Sequence, residues 1–175
     1  MARARKKWEL RAELDVVQRR EHARLFGVSE TMAGLLYNRG ITDYENAKEF
    51  LNPSLDHTTD PFELPDMKRA ATRLLKAIYA NEKIMVYGDY DVDGITATAT
   101  TVRCLSELGA EVLSYIPKRL EEGYGINIEA IEQAATAGVK VIVTVDCGIG
   151  AYFEVERAKE LGIDVIITDH HQPGD

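Results

Sequence analysis

The chain has 175 residues and a mass of 19.5 kDa, the size of one compact domain or of one domain with an appendage. With 45% hydrophobic and 29% charged residues it can bury a core, which excludes disorder along its whole length. No apolar run reaches the roughly 20 residues of a membrane-spanning helix, and the basic start lacks the apolar stretch of a secretory signal. We therefore expect a cytoplasmic protein without a membrane segment. Its two cysteines are expected to be reduced. We expect Cys104 to lie in the core and Cys147 to pack beneath the candidate site described below.

The net charge of −8 argues against a protein that coats nucleic acid through bulk electrostatics. Basic side chains outnumber acidic ones in residues 1–25, so the acidic excess belongs to the body of the chain. We expect the basic start to be a solvated helix face. The positions of the Asp residues decide whether the acidic excess is ordinary surface or a cation site.

Residues 1–82 are predicted to form a helical lead-in and scaffold. Ser29 is expected to cap one helix, and Thr42 is expected to open a second, short helix as the first residue of a capping box. A polar stretch over residues 53–65 then leads into a helix that starts near Met67. We expect a domain boundary at the end of this lead-in.

Residues 83–175 are predicted to form an α/β domain, a Rossmann-like parallel sheet of βα units. Short apolar runs rich in β-branched residues indicate strands covered on both faces, and they occupy residues 83–88, 111–116, 140–145 and 164–168. Helix-length segments lie between them, at about residues 95–108, 127–137 and 151–161. This alternation predicts right-handed crossovers. Because the sequence stops directly after the fourth strand, we expect a truncated domain.

Three of the four predicted strands run into acidic residues. The acids are Asp89, Asp91 and Asp93 after the first strand, Asp146 after the third, and Asp169 after the fourth, where His170 and His171 follow. In an open parallel sheet the functional crevice lies beyond the carboxyl ends of the strands. Alternation in an extended segment is expected to put the first three acids on a common side. The sequence therefore predicts carboxylates and imidazoles that converge on one edge.

Carboxylates gathered in a low-dielectric crevice repel one another, so the cluster requires either protons or bound cations. Oxygen ligands with one or two imidazoles suit Mn²⁺ or Mg²⁺ better than zinc. Two such ions roughly 3.5 to 4 Å apart would activate a water and clamp the attacking and leaving oxygens of a phosphoester displacement. A calcium loop that starts at Asp89 is excluded, because Thr100 stands where its closing Glu is needed.

Three segments resemble the first three motifs of the DHH phosphoesterase superfamily. They are YGDYDVDGIT at residues 87–96, TVDCG at 144–148 and TDHHQ at 168–172. The residues of the first motif, together with FLNP at 50–53 and DPFELPDM at 60–67, resemble the corresponding segments of the RecJ family of single-strand-specific exonucleases. The resemblance covers nearly the whole chain. It implies a 5′-to-3′ exonuclease on single-stranded DNA that depends on Mn²⁺ or Mg²⁺, acts in recombination and repair, and has a helicase and single-strand-binding protein as partners.

The resemblance also implies roles for the strand-end residues. Asp91 and Asp93 correspond to ligands of separate metals, and Asp146 corresponds to the ligand that bridges them. His170 corresponds to a ligand of the second ion. Asp89 corresponds either to a ligand or to a carboxylate that contacts a ligand without binding the metal. His171 would face the scissile phosphate, with Asp169 orienting an imidazole.

A segment after the second strand is similar to a substrate-binding segment of the RecJ family. It reads PKRLEEGYG at residues 117–125. Lys118 or Arg119 would contact a DNA phosphate, and Tyr124 would stack on a base. A charged surface loop with a glycine turn is the alternative for this segment.

The sequence departs from the family in length, because related enzymes continue with a fourth-motif aspartate, a DHH-associated domain and an oligonucleotide-binding fold. We therefore expect this chain to be weakly active or inactive alone. One alternative is a relative that hydrolyses pyrophosphate, cyclic dinucleotides or short oligonucleotides, and another is a nuclease-derived binding module without catalysis. A receiver-like signalling domain would need a Lys at the carboxyl end of a strand, whereas Lys140 begins its strand.

Overall fold

The structure is a computed structural model in which residues 14–173 are described. The chain divides into two compact units, with the division between Asp60 and Pro61. The helix that begins at Met67 belongs to the second unit, whereas the sequence predicts it as part of the lead-in. The domain boundary expected after residue 82 stays a prediction. The basic residues up to Arg11 lie outside the described part of the chain.

The first unit, as far as it is described, is helical. It contains α1 (Val16–Phe26), α2 (Glu30–Tyr37), α3 (Tyr44–Leu51) and a 3₁₀ turn (Leu55–His57). Its small core is formed by Phe26, Leu36 and Ala47, one from each α-helix. The unit therefore has the helical character that the sequence predicts.

The caps of these helices explain where each begins. The Ser29 hydroxyl accepts a hydrogen bond from the amide of Met32 at 3.2 Å, as expected for the start of α2. The capping residue of α3 is Asp43, whose carboxylate accepts from the amide of Asn46 at 3.0 Å. Our assignment of Thr42 to this position was wrong by one residue, because an Asp side chain reaches the free amides of the first turn equally well.

The second unit has a four-stranded parallel sheet with helices on both faces. In chain order its elements are the 3₁₀ turn Pro61–Glu63, α4 (Met67–Tyr79), β1 (Lys83–Gly88), α5 (Val92–Glu107), β2 (Val112–Tyr115), α6 (Ile128–Thr136), β3 (Val139–Val145), α7 (Tyr152–Glu160) and β4 (Asp164–Thr168). The predicted α/β fold class is confirmed. Over residues 14–173, no helix is long and apolar enough to cross a bilayer.

Alternating side chains of β1 supply both halves of the core. Ile84 and Val86 pack with residues of α4 and α5, whereas Met85 and Tyr87 pack with residues of α6 and α7. All four are buried, and burial of an aliphatic or aromatic side chain contributes roughly 1.5 to 3 kcal/mol. The apolar run predicted as a strand covered on both faces thus occupies the centre of the sheet.

The order of the strands is β2-β1-β3-β4, and every neighbouring pair is parallel. From β1 the chain passes to β2 on one side and later returns to β3 on the other side. The carboxyl ends of β1 and β3 therefore flank a topological switch point, where parallel sheets open a crevice for ligands. The acidic segments that begin at Asp89 and Asp146 follow these two ends.

The two cysteines differ in their surroundings. Cys147 is fully buried, as expected, and its thiol donates to the carbonyl of Tyr87 at 3.8 Å. Cys104 is exposed, so its expected place in the core was wrong. Helix α5 buries Leu105, and the preceding residue is rotated by about 100° around a helix axis, away from the sheet.

Candidate metal centre

The segment after β1 holds two carboxylates in fixed positions. Asp89 is buried, with 2% of its surface exposed, and Asp91 caps α5. One Asp91 oxygen, Oδ1, accepts from the amides of Asp93 at 2.9 Å and Gly94 at 3.1 Å. These hydrogen bonds, that of Gly94 above all, lower the pKa of Asp91. Asp91 is therefore held at the start of α5 in a form that favours the ionised carboxylate.

Gly94 lets the first turn of α5 approach the end of β1. A Cβ atom on Gly94 would lie 2.5 Å from the amide nitrogen of Asp89, closer than atoms can pack. A larger residue would push the helix and the buried acid apart. The glycine of the first motif thus keeps Asp89 and Asp91 beside each other.

The structure corrects the expected placement of Asp93. Helix α5 begins at Val92, so the extended segment whose alternation was to align three acids ends at Asp91. Asp93 lies in the first helical turn and is absent from the groups of mutually close ligand atoms found in the described residues. Its charge still acts on Asp146, where it raises the pKa. Its role as a metal ligand stays a prediction.

Asp146 follows β3 with a left-handed backbone, at φ 61°. This conformation costs roughly 1 to 2 kcal/mol in most L-residues, and Asp tolerates it better than most because of its short polar side chain. The Asp146 amide donates to the carbonyl of Thr168 at 2.9 Å, which fixes the turn against the end of β4. The backbone thus directs this side chain, 7% exposed, to the edge of the sheet.

Two groups of possible ligand atoms meet at Asp146. One consists of Asp89, Asp91 and Asp146, and the other consists of Asp146, His170 and His171. Within each group the ligand atoms all lie within 4.8 Å of one another. Burial and then the charge of Asp91 raise the pKa of Asp146, while the hydrogen bond with His170 lowers it. The cluster therefore disfavours its own full ionisation unless a cation is present.

Asp89 gives a separate indication of a missing partner. Its Oδ1 atom is buried and has no hydrogen-bond partner among the described residues. Buried carboxylate oxygens in folded proteins nearly always have a donor or a cation beside them. The residues present therefore fit a divalent cation, and this oxygen is the best single indication of where it would bind.

The two histidines contact different acids. His170 Nε2 lies 3.0 Å from Oδ1 of Asp146, and its side chain is 74% exposed. His171 Nδ1 lies 2.7 Å from Oδ1 of Asp169. The hydrogen bond with Asp169 raises the pKa of His171. The contact expected from Asp169 to an imidazole is present, and its functional role stays a prediction.

Asp169 is held as an ionised anchor for that histidine. Its side chain is 2% exposed, and its Oδ2 accepts from the amide of Ile149 at 3.0 Å. Burial alone would raise its pKa, but hydrogen bonds from the amides of Ile149 and His171 and from the His171 ring outweigh burial and lower it. The imidazole of His171 is therefore oriented by a fixed charge.

The loop between β2 and α6, residues 116–127, brings further side chains to the same edge. The Tyr124 hydroxyl lies 3.3 Å from Nδ1 of His171 and donates to the carbonyl of Asp146 at 3.5 Å. The Arg119 guanidinium lies over the ring of Tyr90, 5.1 Å from its centroid. Lys118 instead pairs with Glu121 at 3.1 Å. Asp89, Asp91 and Asp146 are called the acid cluster below. Tyr124 and the Tyr90-bound Arg119 therefore lie at the same edge as the acid cluster.

Tyr90 is a residue at this edge for which the sequence alone predicts no role. This residue stands between the two acids after β1, and its ring contacts both Arg119 and, edge to face at 6.4 Å, Tyr124. An aromatic residue inside an acidic strand-end segment is a signal that could have found it, since an aromatic face beside a metal site can hold a guanidinium or a base.

Comparisons with known proteins show the family of this chain. The family described as "DHH family, N-terminal domain" matches residues 83–175, more than half of the chain. The chain belongs to the DHH family. This membership covers all the strand-end acids and histidines, and it excludes the receiver-like alternative.

The relatives of this chain include exonucleases that are several times its length. It is 48% identical over 147 residues to the single-stranded-DNA-specific exonuclease RecJ of Bacillus subtilis, over 84% of this chain and 19% of the relative. The chain therefore spans about a fifth of that relative's length.

Solved structures show the same similarity. RecJ of Thermus thermophilus in complex with Mn²⁺ superposes with a TM-score of 0.67 and 34% identity, over 99% of this chain and 24% of that one. A complex of RecJ from the same organism with Mg²⁺ gives a TM-score of 0.55 and 30% identity, over 94% and 20%. The expected ions, Mn²⁺ or Mg²⁺, are those bound by these neighbours.

Proposed function

We propose that this chain carries the metal-binding part of a phosphodiester hydrolase that acts on single-stranded DNA. The observation that carries the proposal is the convergence of Asp89, Asp91 and Asp146, with a buried Asp89 oxygen that lacks a partner among the described residues. The relatives named as single-stranded-DNA-specific exonucleases support the substrate class. Digestion from 5′ to 3′, a role in recombination and repair, helicase and single-strand-binding partners and a cytoplasmic location remain finer parts of this proposal.

The residues that would hold divalent cations come from the two groups around Asp146, of which His171 is assigned to the substrate instead. Mn²⁺ or Mg²⁺ would be held by Asp89, Asp91, Asp146 and His170, with Asp93 as a further candidate. When bound, such ions lower the pKa of a water and offset the charge of the scissile phosphate. Because the groups share Asp146, its carboxylate is suited to lie between two ions.

The remaining side chains at the edge act on the substrate in this proposal. His171, with Nδ1 held by Asp169, would present Nε2 to a phosphate oxygen, and its raised pKa favours the protonated ring that donates. The guanidinium of Arg119 would bind a phosphate beside the one that is cut, and the exposed ring of Tyr124 would stack on a base. Lys118 would add charge at the rim of this surface.

Titration of Mn²⁺ into the chain tests the metal site. We expect saturable binding to the wild type and a loss of at least about tenfold in affinity in Asp89→Asn and Asp146→Asn. Asp56→Asn is the matched control, because Asp56 is an exposed acid of the other compact unit. A wild-type chain that takes up no Mn²⁺ at millimolar concentration would contradict the proposal and favour a binding module without catalysis.

Turnover distinguishes the substrate class. A 5′-phosphorylated single strand, pyrophosphate and a cyclic dinucleotide are offered with Mn²⁺ both to this chain and to the longer protein of a RecJ relative. We expect the single strand to be the preferred substrate of the longer protein and this chain to be weakly active or inactive. Faster turnover of either small substrate by the longer protein would support the alternative DHH activities instead.

A further inference from the structure

The carboxylate of Glu122 is the centre of a hydrogen-bond network inside the β2–α6 loop. It accepts hydrogen bonds from the hydroxyl of Tyr115, from the backbone amide of Lys118 at 2.9 Å and from Nδ2 of Asn127 at 3.1 Å. These donors belong to the end of β2, to the start of the loop and to the cap of α6. One side chain therefore joins both ends of the loop.

The same network fixes the loop to the sheet through Tyr87. This buried residue of β1 donates from its hydroxyl to the carbonyl of Gly125 at 2.9 Å and accepts from Nδ2 of Asn127 at 3.2 Å. Its ring stacks on that of Tyr115 at a centroid distance of 5.0 Å, from the paired position of β2. The network is thus attached to a buried residue of a central strand.

The loop residues that reach the acid cluster lie on either side of Glu122. Arg119 is three residues before it and contacts Tyr90, and Tyr124 is two residues after it and contacts His171. The amide of Glu122 also donates to the carbonyl of Lys118 at 2.8 Å, which closes a turn around Arg119. The side chains proposed to bind the substrate therefore depend on a short stretch of backbone that this carboxylate holds.

Glu121 provides a contrast within the same turn. It is exposed, and the contact of its carboxylate is a surface pair with the ammonium of Lys118 at 3.1 Å. Such exposed pairs contribute little, whereas a carboxylate that accepts from three donors orders its surroundings. Adjacent, chemically identical residues thus have different structural roles.

We infer that Glu122 is a positioning residue. It holds the β2–α6 loop so that Arg119 and Tyr124 lie at the edge of the sheet that carries the acid cluster, where they can bind a phosphate and a base. The inference rests on the proposed function for its consequence, and on the contacts of Glu122 for its cause. Glu122 itself touches neither the acid cluster nor, in this scheme, the substrate.

The experiment compares wild type, Glu122→Ala and the matched control Glu121→Ala by NMR. In Glu122→Ala we expect amide exchange at Lys118 to accelerate at least about tenfold, because its acceptor is removed. The side-chain protons of Arg119 should also lose the ring-current shift that the Tyr90 ring imposes, while signals of the sheet stay in place. Glu121→Ala should show neither change.

Binding readouts connect this order to function. With Mn²⁺ present, the Kd for a fluorescent 5′-phosphorylated single strand should rise about tenfold in Glu122→Ala. The Kd for Mn²⁺ alone should stay within about twofold of the wild-type value, since Glu122 is not a ligand in this scheme. Glu122→Gln keeps an oxygen for the Lys118 amide, so it should show intermediate values, and it replaces Glu122→Ala if that variant fails to fold.

Each outcome decides one point. The inference is overturned if Glu122→Ala keeps the wild-type exchange rate and Arg119 shift, if Glu121→Ala causes equal changes, or if Glu122→Ala has the same measurable Kd for the strand as the wild type. A wild type that shows no binding of the strand counts against the proposed function alone. Failure of the wild type to take up Mn²⁺ counts against the proposed function alone, because the NMR comparison needs no metal.

Discussion

The acid cluster and the β2–α6 loop stand at the same edge of the sheet but are held there by different means. Asp89, Asp91 and Asp146 are placed by backbone: two strand ends, a helix cap and a left-handed turn. The loop is placed by side chains, through the hydrogen bonds of Glu122 and Tyr87. The cluster gathers like charges that a cation would offset, whereas Glu122 of the loop accepts hydrogen bonds from three donors. The proposed metal site thus depends on backbone geometry, and the proposed substrate surface depends on a network of side-chain hydrogen bonds.

The largest effect is expected where the backbone of the cluster has no free space. Gly94→Ala would place a Cβ 2.5 Å from the amide nitrogen of Asp89. We expect it to lower the free energy of unfolding in urea by about 3 kcal/mol and to abolish Mn²⁺ binding, because overpacking must separate α5 from β1. Gly150→Ala is the control, since a Cβ there meets nothing within 4 Å and its φ is not left-handed. Equal losses in both variants would contradict this explanation.

A smaller but still large effect is expected from the cation itself. Mn²⁺ at a hundred times its Kd should add about 2.7 kcal/mol to the free energy of unfolding, since it binds only the folded cluster. Asp146→Asn should lose this gain, and EDTA should remove it from the wild type. Thermal unfolding monitored by circular dichroism measures all three. A wild-type chain that Mn²⁺ leaves unchanged would show that the carboxylates do not form a folded-state site.

The pH dependence of the metal-free chain follows from the same carboxylate. The folded state raises the pKa of Asp146, so the native protein binds this proton more tightly than the unfolded chain does. Its contribution to stability is therefore greatest below the ordinary pKa and is lost as the pH rises through the raised value. Asp146→Asn should remove this part of the pH dependence, and Mn²⁺ should reverse its direction.

The sequence predicts much of the acid cluster because strand ends follow from topology. The four apolar runs, the βα alternation and the acids after β1, β3 and β4 are sufficient to bring Asp89, Asp91, Asp146 and His170 to one edge. The place where α5 begins was harder to predict, because Asp91 caps the helix with its own side chain and takes Asp93 into the first turn. A local capping hydrogen bond changed the direction of one expected ligand.

The loop could not be predicted to the same depth. The chemistry of the loop predicts that Lys118 or Arg119 contacts a phosphate and that Tyr124 stacks on a base. It does not predict the contacts observed in the structure, where Lys118 pairs with Glu121 and Arg119 lies over Tyr90. The partners of Glu122 come from β2, the loop and α6, and no spacing in the sequence connects them. Side-chain networks between distant segments need coordinates, whereas strand ends need only the order of the strands.

A moderate effect is expected where the loop meets α6. Asn127 caps this helix by accepting from the amide of Ala130 at 2.7 Å, while its Nδ2 donates to the loop network. Asn127→Ala should lower stability by about 1 kcal/mol through loss of the cap. Asn127→Ser keeps a capping oxygen and should recover most of that stability, yet both variants should accelerate amide exchange in the loop. Recovery of slow exchange in the Ser variant would show that the cap alone orders the loop.

The smallest effect is a change in one titration, and it isolates a single hydrogen bond of the network. The hydroxyl of Tyr115, followed by the amide of Lys118, lowers the pKa of Glu122. Because the folded state favours the ionised form, this carboxylate stabilises the protein above its ordinary pKa, and the contribution is lost as the pH falls through the lowered value. Tyr115→Phe should move the pKa of Glu122 back toward its ordinary range. The chemical shift of the side-chain carboxyl carbon of Glu122, measured by NMR as a function of pH, reports this pKa. It should leave Mn²⁺ affinity unchanged, since the acid cluster is placed by backbone that does not include Tyr115. A pKa that stays low in Tyr115→Phe would assign the stabilisation to the amide of Lys118 and to Asn127, and the network would then be a property of the loop rather than of its attachment to β2.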